Sequence, residues 1–159
     1  MVVDRLCFVR TLLASAFFLA AAHAPAQSPI SGMMAVDAPH EFSVLVTRLE
    51  KAIEANKMGL VAQASASRGA AARGVKIPGN AVLMVFRSDY AVRMLAASVP
   101  AGIEAPLRLY VTEEAAGRAR VAWRTAGATF APYANADLDT LARELDPVIE
   151  KIVRDAAAP

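Results

Sequence analysis

"APLRLYVTEEAAGRARVAWRT", residues 105–125, is the stretch that decides the fold. Apolar and polar positions alternate on both sides of a glycine-containing turn, the period-2 signature of a half-buried β-hairpin. Leu107, Leu109 and Val111 share one face of the first strand, and Arg108, Tyr110 and Thr112 share the other. In the returning strand Ala119, Val121 and Trp123 lie opposite Arg118, Arg120, Ala122 and Arg124. Burying both apolar sets in one core puts Tyr110 and the four arginines on a common outer face. With residues 113–117 as the loop, the expected partners are Thr112 with Arg118, Tyr110 with Arg120, and Arg108 with Ala122. A slip of register would change these partners, but reversing the faces would expose Leu109 and Trp123.

Upstream, "NAVLMVF" (80–86) reads as a strand, and its unbroken apolar run suggests burial on both faces. Ser88 is placed to cap a following helix in which Tyr90, Met94 and Leu95 turn inward, with Pro100 beyond its end. "LVAQASAS" (60–67) is a weaker strand, and "RGAAARGVKIPG" reads as a loop with room for one helical turn. From Glu41 the period changes to helical. Phe42, Leu45, Leu49, Ala52 and Ile53 form a stripe, and Arg48, Glu50, Lys51 and Glu54 take the other side. This helix is expected to end near Met58-Gly59, with the glycine as a left-handed cap. Met33 to Val36 read as a short first strand.

Downstream, Asp137–Ala156 places Leu138, Leu141, Leu145, Val148 and Ile152 on one stripe. Asp139 with Arg143 and Glu150 with Arg154 have the i,i+4 spacing of helix-surface ion pairs. Pro147 falls inside the stretch and would cost an unbroken helix about 3 kcal/mol. A break is therefore expected there, with Asp146 capping a second segment. The order β-α-β-β-α-β-β-α gives an α+β class: an antiparallel sheet of four to five strands with helices packed on one side.

The first 26 residues read as a secretory signal peptide. "MVVDRLCFVR" is a basic start, and Leu12–Ala22 is an uncharged apolar run too short to span a bilayer. Small residues offer cuts after Ala24 or Ala26, and the first would leave Pro25 at the cut, which selects Ala26. Residues 27–36 are then a linker and first-strand region, and 37–157 a single α+β domain. Cleavage takes two of the 17 basic and one of the 15 acidic residues, leaving 15 against 14. Such a balance gives no support for nucleic-acid binding, and nothing remains for stable membrane insertion. The lone Cys7 leaves with the leader, so the mature chain has no disulfide. Export without disulfides fits a periplasmic or secreted domain of roughly 120 residues.

The helix "EFSVLVTRLEKAIEANKMGLV", the strand and helix "VLMVFRSDYAVRMLAASVPAGIEAPLRLYV" and the turn "EEAAGRARVAW" together resemble the bacterial domain of unknown function 302 family. The similarity spans roughly residues 33–157. It implies a compact α+β fold with a curved antiparallel sheet, and it implies no reaction, because the family has none assigned. The sequence departs from the family's pattern at Arg87-Ser88-Asp89, where many members carry Gly-Asn-Pro.

The arginine face has two readings. Arginine's planar fork matches carboxylate, phosphate or sulfate, so Arg108, Arg120 and Arg124, with Tyr110 to stack or hydrogen-bond, form a candidate anion site. Alternatively the face is solvated, or faces a protein partner or a second copy of the chain. No phosphate-binding glycine fingerprint is present and no cofactor is indicated. A third reading, a periplasmic metal protein, would use Met33, Met34 and His40, whose spacing matches no metal motif. "DLD" (137–139) reads as first-turn acids of a helix. With one histidine left after cleavage and no cysteine, the residues argue against an enzyme.

Overall fold

The computed structural model describes residues 30–159. The expected leader and its cut after Ala26 lie outside the described residues. Five strands form one antiparallel sheet in the order β1-β5-β4-β3-β2: β1 (Met33–Ala38), β2 (Gly59–Ala64), β3 (Asn80–Phe86), β4 (Leu107–Glu113) and β5 (Ala119–Arg124). Five helices accompany it: α1 (Phe42–Ala55), α2 (Ala66–Ala71), α3 (Ser88–Ala97), α4 (Ala126–Phe130) and α5 (Ala136–Ala157). Helix α1 joins the two edge strands, and β3, β4 and β5 lie side by side. The α+β class and antiparallel sheet read from the sequence are the fold observed. Among the described residues no helix is long and apolar enough to cross a membrane.

The core lies between one sheet face and the helices. Leu83 and Val85 of β3, Leu109 and Val111 of β4, and Val121 and Trp123 of β5 are buried together with Leu45, Leu49 and Ile53 of α1. Helix α5 adds Leu138, Leu141, Leu145, Ile149 and Ile152, closing the same cluster. Both hairpin faces are as the alternation requires: Arg108, Tyr110, Arg120 and Arg124 are exposed while their sequence neighbours Leu109, Val111, Val121 and Trp123 are buried.

Several local expectations are corrected. Strand β3 is fully buried on one face only, since Val82, Met84 and Phe86 on the other are half-buried. An apolar run does not show how many faces are covered; here the main core packs against one of them. The hairpin register is displaced by two residues, pairing Tyr110 with Ala122 and Thr112 with Arg120. A two-residue shift preserves the faces. It arises because the turn takes in Arg118, with Ala116 and Gly117 both at positive φ.

The left-handed cap of helix α1 falls two residues before the expected glycine. Lys57 occupies the left-handed position (φ 58°), with its N–H on the Glu54 carbonyl and the Met58 N–H on that of Ile53. This is the paired closure of a Schellman motif, and Gly59 instead opens β2. Ser88 is the first helical residue of α3, not its cap, and Leu95 is exposed.

No break occurs at Pro147: α5 continues through it for 22 residues. The proline is exposed and its missing N–H removes one helical hydrogen bond, while the buried stripe on either side holds the helix to the core. Asp146 caps α4, not a second half of α5, accepting from the N–H groups of Ala126 (2.5 Å) and Gly127 (3.2 Å). The ion pair formed along α5 is Lys151–Asp155, and Arg143 donates to Thr140. Neither Asp139–Arg143 nor Glu150–Arg154 is joined in the structure. Arg48, read as solvent-facing, reaches from α1 to the end of α5 and donates to the carbonyls of Ala156 (2.7 Å) and Ala158 (2.6 Å). A cation there also suits the negative end of the helix dipole.

Candidate functional site

Arg108, Tyr110 and Arg124 meet in one pocket at the end of the sheet where β4 begins and β5 finishes. Its volume is about 250 Å³, and its walls are completed by Met33, Glu104, Leu107, Ala122, Trp123 and Thr129. Extending the observed register one step beyond the Leu109–Trp123 pair sets Arg108 beside Arg124. Two guanidinium groups on neighbouring strands repel unless an acceptor joins them.

The four candidate residues have different surroundings. Arg120 lies outside this pocket, held by Asp37 of β1 through Nε (2.6 Å) and Nη2 (3.1 Å). That fork lowers the Asp37 carboxyl below its ordinary range and raises the Arg120 guanidinium, the hydrogen bond being the larger cause for each. Arg124 donates to the backbone carbonyls of Ala128 (2.8 Å) and Ser31 (3.3 Å), which fixes its guanidinium at the pocket wall. Arg108 and the Tyr110 hydroxyl have no hydrogen-bond partner among the described residues. The expected direct pairing of Tyr110 with Arg120 is replaced by Tyr110 with Ala122, which leaves Arg120 as a diagonal neighbour on the same face.

Two wall residues escaped the sequence reading. Glu104 ends the 3-10 turn Val99–Glu104, and its Oε1 accepts from Tyr133 Oη at 3.0 Å. Burial chiefly, and then the Glu104 carboxylate, raise the Tyr133 phenol above its ordinary value. Thr129 lies on α4, whose first N–H groups are capped by Asp146 of α5. Residues 104 and 129 directly flank the hairpin, just before β4 and just after β5, but lie outside its alternating strands, so the period of two does not signal them. Trp123 is buried, and its indole N–H finds no acceptor among the described residues.

A second cavity, about 30 Å³, lies on the helix side of the sheet and shares Glu104 and Leu107 with the first. It is apolar, with Met58, Val85, Met94, Leu141 and Leu145 in its walls. At its rim the start of α3 carries a set of polar contacts. Arg87 pairs with Asp89 at 2.6 Å and lies over the Tyr90 ring, 3.9 Å from its centroid. Arg93 forks onto Glu144 of α5 at 2.6 and 2.7 Å.

The residues of the metal reading are dispersed. Met33 and Met34 alternate on β1, and His40 Nε2 is hydrogen-bonded to the Ala158 carbonyl at 2.7 Å. Among the described residues no group of three or more histidine, cysteine, aspartate or glutamate side chains is placed to hold a metal ion.

No curated protein matches the chain. The fold is similar to that of the crystal structure of an uncharacterized conserved protein DUF302 from Bacillus stearothermophilus, with a TM-score of 0.71 and 17% identity. The likeness covers 79% of this chain and 98% of the Bacillus one. The profile of the family described as "Domain of unknown function DUF302" matches residues 34–156, and the chain belongs to that family.

Proposed function

We propose that this domain binds a small anionic molecule in the 250 Å³ pocket, with Arg108 and Arg124 as charge partners and Tyr110 as a hydrogen-bonding or stacking wall. The observation that carries the reading is the contrast among the arginines. Arg120 and Arg124 have acceptors, whereas Arg108, beside Arg124 in a concave site, has none among the described residues. A carboxylate or phosphate accepting from both guanidinium groups would remove their repulsion and form charge-assisted hydrogen bonds. The reading is of a binding protein, not an enzyme. The leader pattern of residues 1–26 supports export, which N-terminal sequencing of the mature protein tests through the expected start at Gln27.

The binding test is calorimetric titration with acetate, succinate and inorganic phosphate. At least one should bind, and Arg108→Gln should weaken it roughly tenfold or more, as expected for a lost charged hydrogen bond. Arg120→Gln, outside the pocket, should leave the affinity unchanged. Equal affinity in the wild type and Arg108→Gln, or no binding by any of the three, would refute the proposal.

A second reading rests on the outer sheet face, opposite the main core. There Val82, Met84 and Phe86 are half-buried beside exposed Tyr110, a surface suited to another subunit or a protein partner. Light scattering tests self-association, and Tyr110→Glu should dissociate a dimer formed through this face.

A further inference from the structure

The anion pocket and the apolar cavity share two walls, Glu104 and Leu107. Leu107 is the first residue of β4, so only the end of a strand separates the two spaces. On one side stand Arg108 and Arg124; on the other, Met58, Met94, Leu141 and Leu145. The cavity's roughly 30 Å³ exceeds the ~10–15 Å³ needed to seat one water, but an apolar lining gives water no partners. Methionine is unbranched and adaptable, so Met58 and Met94 can move to admit a chain wider than the present space.

Taking the pocket as an anion site, we infer that its ligand is an unbranched monocarboxylate with an alkyl tail. The carboxylate takes Arg108 and Arg124, and the tail passes Leu107 at the strand end into the cavity beneath α3. Nothing in the polar pocket alone demands a tail; the adjoining apolar cavity is what offers one a place. Ala91 of α3 also lines the cavity and is half-buried, so a larger side chain there fills the space from the helix surface.

The test is calorimetric titration of the full chain with acetate, butyrate, hexanoate and octanoate, with the emission of Trp123, the chain's only tryptophan, as a second signal. Affinity should rise about fourfold per methylene, the gain from burying one CH2, and level off once the cavity is full. Ala91→Leu should flatten this rise, and Arg108→Gln should weaken every member by the same factor. Leu107→Trp, which narrows the strand-end passage, is the independent check if Ala91→Leu lowers the melting temperature. Equal affinities along the wild-type series would overturn the tail and leave the anion reading standing. A rise insensitive to both Ala91→Leu and Leu107→Trp would place the tail elsewhere and overturn the inference. A rise insensitive to Arg108→Gln would remove both readings; no binding by any member would overturn the tail, and the phosphate and succinate titrations then decide the anion reading.

Discussion

Replacing Asp146 with alanine tests a connection between α5 and the pocket that runs through α4. The Asp146 carboxylate accepts from the N–H groups of Ala126 and Gly127, through two part-buried hydrogen bonds, at the start of the five-residue α4. Losing an N-cap acceptor costs about 0.5–2 kcal/mol, and hydrogen bonds to a charged group reach ~3 kcal/mol. Alanine returns about 0.6 kcal/mol through better helix propensity within α5. The expected net loss is about 1–2 kcal/mol, which for a domain of this size lowers the melting temperature by roughly 4–8 °C. Urea unfolding followed by Trp123 emission and by circular dichroism measures it, and the two transitions should coincide. Asp146→Asn retains one acceptor oxygen and should lose less. Because α4 supplies the Ala128 carbonyl that holds Arg124, and Thr129 in the pocket wall, anion affinity should fall alongside stability. If Asp146→Ala proves as stable as the wild type, helix propensity outweighs the cap, and the proposed support of α4 is wrong.

Pro147→Ala should stabilise the protein by about 2 kcal/mol in urea unfolding: the residue is exposed inside a continuous helix, and removing an interior proline gains ~3 kcal/mol against about 1 kcal/mol of added unfolded-state freedom. A loss of stability would mean that the stripe from Leu138 to Ile152 depends on a bend at the proline. Lys57→Gly should raise stability by up to about 1 kcal/mol, since lysine there pays the left-handed penalty of ~1–2 kcal/mol and glycine does not; an unchanged urea midpoint would contradict this. Asp37, Asp89, Glu144 and Asp155 all titrate below their ordinary values because Arg120, Arg87, Arg93 and Lys151 hold their ionised forms. A depressed acid contributes stability above its unfolded value, here 3.8 for the aspartates and 4.5 for the glutamate, and that contribution disappears as pH falls through the lowered folded value. The urea midpoint should therefore decline with acid below about pH 4.5, and added salt should reduce the effect because these pairs are exposed. An acid decline equally large in high salt would assign it to other groups.

The sequence alone determined the faces of the hairpin, the apolar stripe of α1 and the class of the fold. Those features rest on periods of two and 3.6 residues, which burial enforces without knowledge of any partner. Its family resemblance added the same fold and no chemistry. Tertiary structure decided everything that depends on residues far apart in the chain. Local spacing suggested that Asp146 capped its own helix and that Arg48 faced solvent, but a cap goes to whichever orphaned backbone groups packing brings near, and those belonged to α4 and α5 respectively. The hairpin register also escaped alternation, because a two-residue slip leaves every face intact while exchanging partners. That slip turns Tyr110 and Arg120 from direct into diagonal partners, and Asp37 on β1, 83 residues from Arg120, holds the Arg120 guanidinium outside the pocket. Glu104 and Thr129 complete the pocket beside Arg108 because the 3-10 turn and α4 pack against the sheet end, a juxtaposition with no periodic trace in the sequence.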